Sequence, residues 1–436
     1  KWEQHHRNDA EEELGLILHA HYQEALSRVP GFSGNRNNGQ ESLMALRSPV
    51  LTGAGACGAF LIAENGIPVR SAGFCNVNEM FDTHSEYAQS IEVIRGPASS
   101  FWGSNALHGL VNVRLPQPGE IGEISLEQGP RGSYRAKTAI GSDSGNFKQS
   151  LYFTGISEEG YRDDSGVDQQ KASWLYEYTL ANGIQMEGGF TYNNLNQETA
   201  GYVAGTKAYE DSNRRDTNPN PEAYRDSQST RAWTRFTMES GDWEITATPY
   251  FREVNMSFVQ HYLPGQPIED NEHRSIGVQI AAFRELSNNS TFSWGLDAES
   301  TEGAYKENQP NPTTGALFTR RTVPQGMHYD YEVEANQFAV FANYETPLTD
   351  RLDLSIGARL ENIDYEYDNL MLDGRTDANG VACGFGGCRF SRPADRDDDF
   401  SDISPKLGLS YELNGSHNLF VRAQRGIRAP QSTELY

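Results

Sequence analysis

The segment IEVIRGPASSFWGSNALHGLVNV, from Ile91 to Val113, has the residue types and spacing most suggestive of chemistry, because glycines punctuate its centre. A loop that binds nucleotide phosphates needs G-x-x-x-x-G-K-[ST] or G-x-G-x-x-G. Neither spacing occurs here, and the run from Gly96 to Gly109 contains no lysine. Its serines also lack the G-x-S-x-G turn that would expose a nucleophile. The segment therefore favours a turn between two strands over an enzyme's site.

Cysteines are the second group that could do chemistry, and they form two local pairs, Cys57 with Cys75 and Cys383 with Cys388. A zinc site usually shows C-x-x-C spacing or interleaved histidines, and neither is present. An even number of cysteines in local, glycine-rich pairs favours disulfides formed in an oxidising compartment. Zinc stays the weaker alternative.

Two further groups of side chains could bind a metal ion. Asp395, Asp397 to Asp399 and Asp402 form an acidic run, but it lacks the spacing and the glycine of an EF-hand loop. A solvated loop explains it better than calcium. The paired histidines near the N-terminus are too sparse for a site, so the sequence predicts neither a metal nor a cofactor.

Composition narrows the class of protein. Lys and Arg total 36 against 60 Asp and Glu, and the net charge of -24 repels nucleic acid. The mean hydropathy is -0.65, and no run approaches the roughly 18 apolar residues of a membrane helix. Aromatic residues make up 11% of this polar chain, which favours strands over helices.

Two regions of the chain differ in their hydrophobic rhythm. Up to Gly119 the pattern is mixed, with a predicted helix near His21 to Val29 and a few short strands, which together indicate an α+β unit. From Glu120 the residues alternate, as in FSWGLDAE, where Phe292 and every second residue after it are apolar. A period of two gives each strand one apolar and one polar face.

Connections in the second region alternate between tight turns and long polar stretches. Short turns at one end and long loops at the other are typical of a transmembrane β-barrel, with a soluble β-sandwich as the alternative. The predicted long connections are Glu158 to Gln170, Val203 to Ser227, Gln260 to His273, Glu307 to Asp330, and Leu372 to Asp399.

The segment from Ile91 to Val113 closely resembles the end of the plug domain in TonB-dependent outer-membrane receptors. Further resemblances, in the same order as in that family, are EALSRVPGFS, ESLMALRS, FLIAENGIPV and RGIRAPQSTELY. The resemblance implies a mainly β protein, with an α+β plug at residues 1–119 inside a transmembrane antiparallel barrel at residues 120–436. A barrel of this family has about 22 strands, whereas roughly 13 alternating segments occur here, so we expect further strands after Tyr436.

The resemblance also assigns roles to particular residues. Arg95, and Arg47 with it, would anchor the plug to a barrel carboxylate, although a surface salt bridge is the simpler alternative. The ligand would rest on plug loops that a Cys57–Cys75 disulfide ties together, although Phe74 could instead pack beneath its loop. The candidate ligand contacts are Leu51, Thr52, Phe74 and Asn76.

The function implied is that of a receptor for active transport, with no catalytic residue. Such a receptor lies in the bacterial outer membrane among lipid and lipopolysaccharide. It binds a ferric siderophore, a similar metal complex or a vitamin, and it is energised by a TonB-type inner-membrane transducer. No segment of residues 1–15 is recognisable as the transducer's docking box. A passive porin-like channel and an adhesion or phage-docking surface are the alternatives.

Overall fold

A computed structural model describes residues 7–36, 38–48, 60–74 and 79–436, without the side chains of residues 7–13 and 79. In these ranges the N-terminal part has ten α-helices and strands and the C-terminal part has fifteen. The first ten are β1 (Arg7–Ala10), α1 (Glu11–Ile17), α2 (Tyr22–Leu26), β2 (Phe32–Arg36), β3 (Ser42–Leu46), β4 (Phe60–Glu64), β5 (Ile67–Pro68), β6 (Ser90–Arg95), α3 (Ser99–Trp102) and β7 (Gly109–Arg114). The rest are β8 (Gly122–Gln128), β9 (Tyr134–Asp143), β10 (Phe147–Glu158), β11 (Val167–Thr179), β12 (Gln185–Glu198), β13 (Tyr224–Ser240), β14 (Trp243–Val259), β15 (Ile268–Glu285), β16 (Thr291–Gln309), α4 (Leu317–Thr322), β17 (Gly326–Thr349), β18 (Leu352–Asn369), β19 (Arg396–Asn414), β20 (His417–Gln424) and α5 (Ser432–Leu435).

The N-terminal part is the predicted α+β unit. Its main sheet has the strand order β1-β6-β7-β4-β5, and β2 and β3 form a separate hairpin. Apolar side chains from α2, β3, β6 and β7, among them Leu26, Leu46, Ile91 and Val111, are buried in its core. The predicted helix at His21 to Val29 is therefore present, but it is shorter than expected.

The glycine-rich centre of the segment from Ile91 to Val113 is more than a turn, because it contains the one-turn helix α3. Gly96, Gly103 and Gly109 all adopt positive φ, with values of 107°, 77° and 144°. A Cβ on Gly109 would collide with the carbonyl oxygen of Ile94. All three glycines thus adopt backbone conformations that other residues rarely adopt, and Gly109 also allows a close approach of the backbone.

The C-terminal part is one antiparallel sheet of 13 strands, each paired with its sequence neighbours from β8 to β20. Its inner face packs on the N-terminal part, and its outer face carries an apolar belt. On β17 and β18, for example, Phe338, Val340, Ile356 and Leu360 are 40–54% exposed. Exposed apolar side chains in an otherwise polar chain fit contact with lipid.

Tight turns and long connections alternate as predicted, but the strands run further into the connections than expected. The acidic run was expected to lie in a loop, yet β19 starts at Arg396 and includes most of it. Beyond the apolar belt both faces of a strand are polar, so alternation no longer marks where the strand ends. Within the described ranges, no helix is long and apolar enough to cross a membrane.

Candidate functional site

The segment Asp82–Glu86 of the N-terminal part forms hydrogen bonds with the inner face of strands β10 to β13. We call it the anchor segment. Asn193 Nδ2 and Ser229 Oγ each donate to Asp82 Oδ1 over 2.9 Å. The two ring nitrogens of His84 lie 2.8 Å from the hydroxyls of Ser173 and Thr154. Two short 3-10 turns flank the segment and present its consecutive polar groups to the wall.

Buried ion pairs reinforce this attachment. Lys171 on β11 lies 2.9 Å from Glu86, and Arg225 and Arg231 on β13 pair with other N-terminal carboxylates. The distances are 2.8 Å from Arg225 to Glu41 and 3.3 Å from Arg231 to Glu64. The carboxylates belong to the inner part and the cations to the wall, which is the reverse of the polarity expected for Arg47 and Arg95.

Arg95 and Arg47 themselves contact their own part of the chain. Arg95 Nη1 donates to the carbonyl of Pro30 over 3.1 Å. Arg47 is exposed, and its backbone N–H donates to the carbonyl of Gly31 over 2.9 Å. Among the described residues, neither guanidinium forms an ion pair with a carboxylate of strands β8 to β20.

Burial and neighbouring charges set the protonation of the anchor segment. Burial alone would raise the pKa of Glu86, but the Lys171 ammonium, its hydrogen bond and the smaller effects of His84 and His19 together outweigh burial and hold that pKa at about 2. Burial raises the pKa of Asp82 to about 6, against the opposing effect of the Arg231 charge. Asp82 Oδ2 has no hydrogen-bond partner in the described structure, which is consistent with a carboxyl that protonates readily.

On the opposite side, the ligand loop Ser71–Phe74 contacts strands β14 to β16 through uncharged groups of its own. Ser71 Oγ lies 2.6 Å from Ser275 Oγ and 2.7 Å from Thr301 Oγ1. The Phe74 ring stacks on His273 at 5.8 Å and is 7% exposed. Gly303 leaves room for it, since a Cβ there would collide with the ring. Phe74 thus packs against the wall.

Beside Phe74, tyrosines from several elements form an aromatic cluster, defined here as Phe74, Tyr331, Tyr365, Tyr367 and Tyr436. The rings of Tyr367 and Tyr436 stack with centroids 4.1 Å apart. Sequence reasoning missed this cluster, although one signal was present. Tyr329 and Tyr331 on β17, like Tyr365 and Tyr367 on β18, stand two residues apart and so share the inner face.

The helix α3 and its following turn make a third contact with the wall. The backbone N–H of Ser104 donates to Glu361 Oε1 over 3.2 Å. Glu361 is held in turn by Arg359 Nε at 2.7 Å. A Cβ on Gly103 would lie 2.7 Å from Glu361 Oε2, so glycine is needed where the wall comes this close.

Comparison with known families agrees with this arrangement of a plug against a barrel wall. Residues 12–110 match the family described as "TonB-dependent Receptor Plug Domain", and residues 126–436 match "TonB dependent receptor-like, beta-barrel". The chain belongs to the TonB-dependent receptors. Members of this family are outer-membrane β-barrels that bind siderophores or other metal complexes, and they are receptors rather than enzymes.

Solved structures of TonB-dependent receptors have the same fold at low sequence identity. The ferric yersiniabactin uptake receptor FyuA from Yersinia pestis superposes with a TM-score of 0.71 at 15% identity, over 96% of this chain and 63% of FyuA. The unliganded ferric citrate transporter FecA superposes with a TM-score of 0.76 at 15% identity, over 98% of this chain and 64% of FecA. FpvAI in complex with pyocin S2 superposes with a TM-score of 0.73 at 13% identity, over 96% of this chain and 57% of FpvAI. This chain thus spans about three fifths of the length of these receptors. No curated protein matches the sequence.

One of the two predicted disulfides of this TonB-dependent receptor is present. Cys383 and Cys388 are bonded, with Cα atoms 4.8 Å apart, in the long connection between β18 and β19. That prediction is confirmed. The other predicted pair and three of the ligand contacts, namely Cys57, Cys75, Leu51, Thr52 and Asn76, lie outside the described residues.

Proposed function

We propose that this chain is part of an outer-membrane receptor for active transport, which binds a ferric siderophore or a similar metal complex and passes it to the periplasm. The observation that carries the proposal is the plug packed across the inner face of the barrel wall. Buried polar contacts hold it on two sides. A passive channel would gain nothing from a plug attached in this way.

The upper end of the barrel interior, where the long connections lie, is the proposed ligand site. The ligand loop and the aromatic cluster meet there, and aromatic faces offer broad apolar contact to a compact chelate. Leu51, Thr52, Phe74 and Asn76 are the proposed contacts. FyuA and FecA, which share the fold, are described as a receptor or transporter for ferric chelates, and this supports a ferric cargo.

Energy for release has to come from outside the chain, because the outer membrane holds no ATP. We propose that a TonB-type transducer of the inner membrane pulls on the plug, which we assign to residues 1–119, within the barrel assigned to residues 120–436. The apolar belt of the barrel would contact outer-membrane lipid and lipopolysaccharide.

Uptake measurements test the proposal. Cells that express the whole receptor should accumulate radiolabelled iron from one of a panel of ferric chelates, and a protonophore should abolish that accumulation. A matched strain carrying an empty vector provides the control. Accumulation that continues without the proton gradient would indicate a passive channel. Absence of uptake together with sensitivity to a phage or bacteriocin would indicate a docking surface, as the complex of FpvAI with pyocin S2 illustrates for that protein.

A further inference from the structure

The last residues of the chain, Arg425–Tyr436, leave strand β20 and turn towards the plug instead of continuing the sheet. We call this segment the lumen strap. Five of its twelve residues are buried, among them Ala429 at 4%, Gln431 at 1% and Ser432 at 8% exposure. Its sequence, RGIRAPQSTELY, is one of the segments that resemble TonB-dependent receptors.

The lumen strap contacts the plug at two separate places. The backbone N–H of Ser432 donates to the carbonyl of Gly73 in the ligand loop over 2.8 Å. Further back, the backbone N–H of Ile427 donates to Ser99 Oγ on α3 over 3.0 Å. Gly426 passes close to the plug as well, since a Cβ there would lie 2.8 Å from Leu107 Cα. One segment therefore joins the ligand loop to α3.

The same segment is fixed to the barrel wall. Tyr365 on β18 donates its hydroxyl proton to the carbonyl of Pro430 over 3.0 Å. At the other end, the Tyr436 ring stacks on Tyr367, and its hydroxyl donates to Asp398 Oδ2 over 3.1 Å. Inside the strap, Gln431 and Glu434 form a capping box at α5. The strap is thus braced on both sides of its contact with Gly73.

We propose that the lumen strap is a positioning element for the ligand loop, so that Ser432 holds Gly73 and thereby sets the position of Phe74. The proposal rests on the proposed function, in which Phe74 contacts the ligand. Gly73 has a φ of +83°, and a Cβ on it would collide with the Tyr365 ring. The loop is therefore wedged between the wall and the strap. A ligand that shifts Phe74 must also strain the bond from Ser432.

Ser432→Pro removes the N–H that makes the proposed contact, and its ring carbon also takes the place of that hydrogen, so the Gly73 carbonyl must move away from the strap. Ser432 is the first residue of α5, where proline is tolerated because that N–H has no partner within the helix. Gln431 before it has φ -81° and ψ 146°, which is the conformation a residue preceding proline favours. The matched control is Ser432→Ala, which removes the hydroxyl but keeps the N–H.

The proposal is tested by measuring the hydrogen-exchange rates of two backbone amides in the whole receptor, in nanodiscs and without ligand. The Phe74 amide donates to Ser71 O in the ligand loop, and the Tyr87 amide donates to His84 O beside the anchor segment. We expect Ser432→Pro to raise exchange at Phe74 by about 2- to 12-fold or more, because the loss of one hydrogen bond implies that range and the displaced Gly73 carbonyl adds to it. Ser432→Ala should keep the wild-type rate, and Tyr87 should be unaffected in both variants.

Equal exchange at Phe74 in the two variants, or a parallel rise at Tyr87, would overturn the proposal, because the effect would then be absent or global. If Ser432→Pro fails to insert into the membrane, Tyr365→Phe takes its place, since it removes only the bond to Pro430. A smaller rise at Phe74 is then expected, and no rise would overturn the proposal. Failure of chelate uptake would refute the proposed function without changing any of these exchange rates.

Discussion

The two sides of the plug are attached to the barrel wall by different chemistry. The anchor segment Asp82–Glu86 uses charges, including the Lys171–Glu86 pair, whose side chains are both 3% exposed. The ligand loop Ser71–Phe74 carries no charge of its own. It uses hydroxyl contacts, including one from Arg252 Nη2 to Ser71 Oγ over 2.8 Å, aromatic stacking and a backbone bond from the lumen strap. A buried ion pair contributes little net stability, yet losing one partner is expensive. Neutral contacts can be exchanged one at a time at lower cost.

This difference suggests that the two sides of the plug respond differently to ligand. The side held by buried ion pairs is expected to stay in place while the ligand loop, whose own residues carry no charge, adjusts to ligand. The variants below test the comparison, in order of expected effect.

The largest effect is expected from Lys171→Met. It leaves Glu86 as an unpaired buried charge, which should lower the free energy of local opening of the anchor segment by about 3–5 kcal/mol. Hydrogen exchange at the Tyr87 amide measures this. The matched control is Arg274→Met, which breaks a pair with Glu253 at 3.7 Å whose side chains are 59% and 37% exposed. That loss should be within about 1 kcal/mol.

Adding Glu86→Gln to Lys171→Met should restore part of the stability, because it removes the unpaired charge. If Lys171→Met and Arg274→Met changed exchange at Tyr87 equally, the charged side would not be the stronger attachment.

The next effect concerns pH and the anchor segment. Burial raises the pKa of Asp82 from 3.8 to about 6, so its contribution to docking is fully present below about 4 and is lost as pH rises through 6. A shift of about two units corresponds to about 3 kcal/mol. Burial also lowers the pKa of His84 to about 4, which acts in the opposite sense over this range.

Comparison with Asp82→Asn separates the two groups. The opening free energy of wild type minus that of Asp82→Asn, from exchange at Tyr87, should fall by about 2 kcal/mol between pH 4 and pH 6. A difference that stays constant with pH would show that burial does not raise the pKa of Asp82.

A third effect should be confined to the ligand loop. Gly303→Val places a side chain where the Phe74 ring lies, and overpacking of this kind typically costs about 1–3 kcal/mol. Exchange at the Phe74 amide should rise while exchange at Tyr87 stays unchanged. Gly155→Val on β10 is the control, because nothing lies within 4 Å of a Cβ there. A rise at both amides would mean that the two sides of the plug are not independent.

The sequence predicted the barrel better than the site, and for a physical reason. Alternation follows from one face on lipid and one on the interior, so strand number and turns could be counted before the fold was known. The contacts of the plug with the wall could not be predicted in this way, because they join residues far apart in the chain. Ser71 and Thr301, for example, are separated by 230 positions. Likewise, nothing in the sequence around Glu86 or Lys171 predicts that these two residues form an ion pair.

The smallest effect is expected from Arg95→Ala, which tests the anchoring role that the family resemblance assigns to this residue. Its described hydrogen bond goes to the carbonyl of Pro30 within the plug, and one such bond is worth about 0.5–1.5 kcal/mol. Arg95 lies on neither of the two attached sides. We therefore expect Arg95→Ala to raise passive leakage of small solutes less than Lys171→Met does, with the barrel still folded. Leakage equal to that of Lys171→Met would instead make Arg95 a further attachment of the plug. The division between a charged side and a neutral side would then be incomplete.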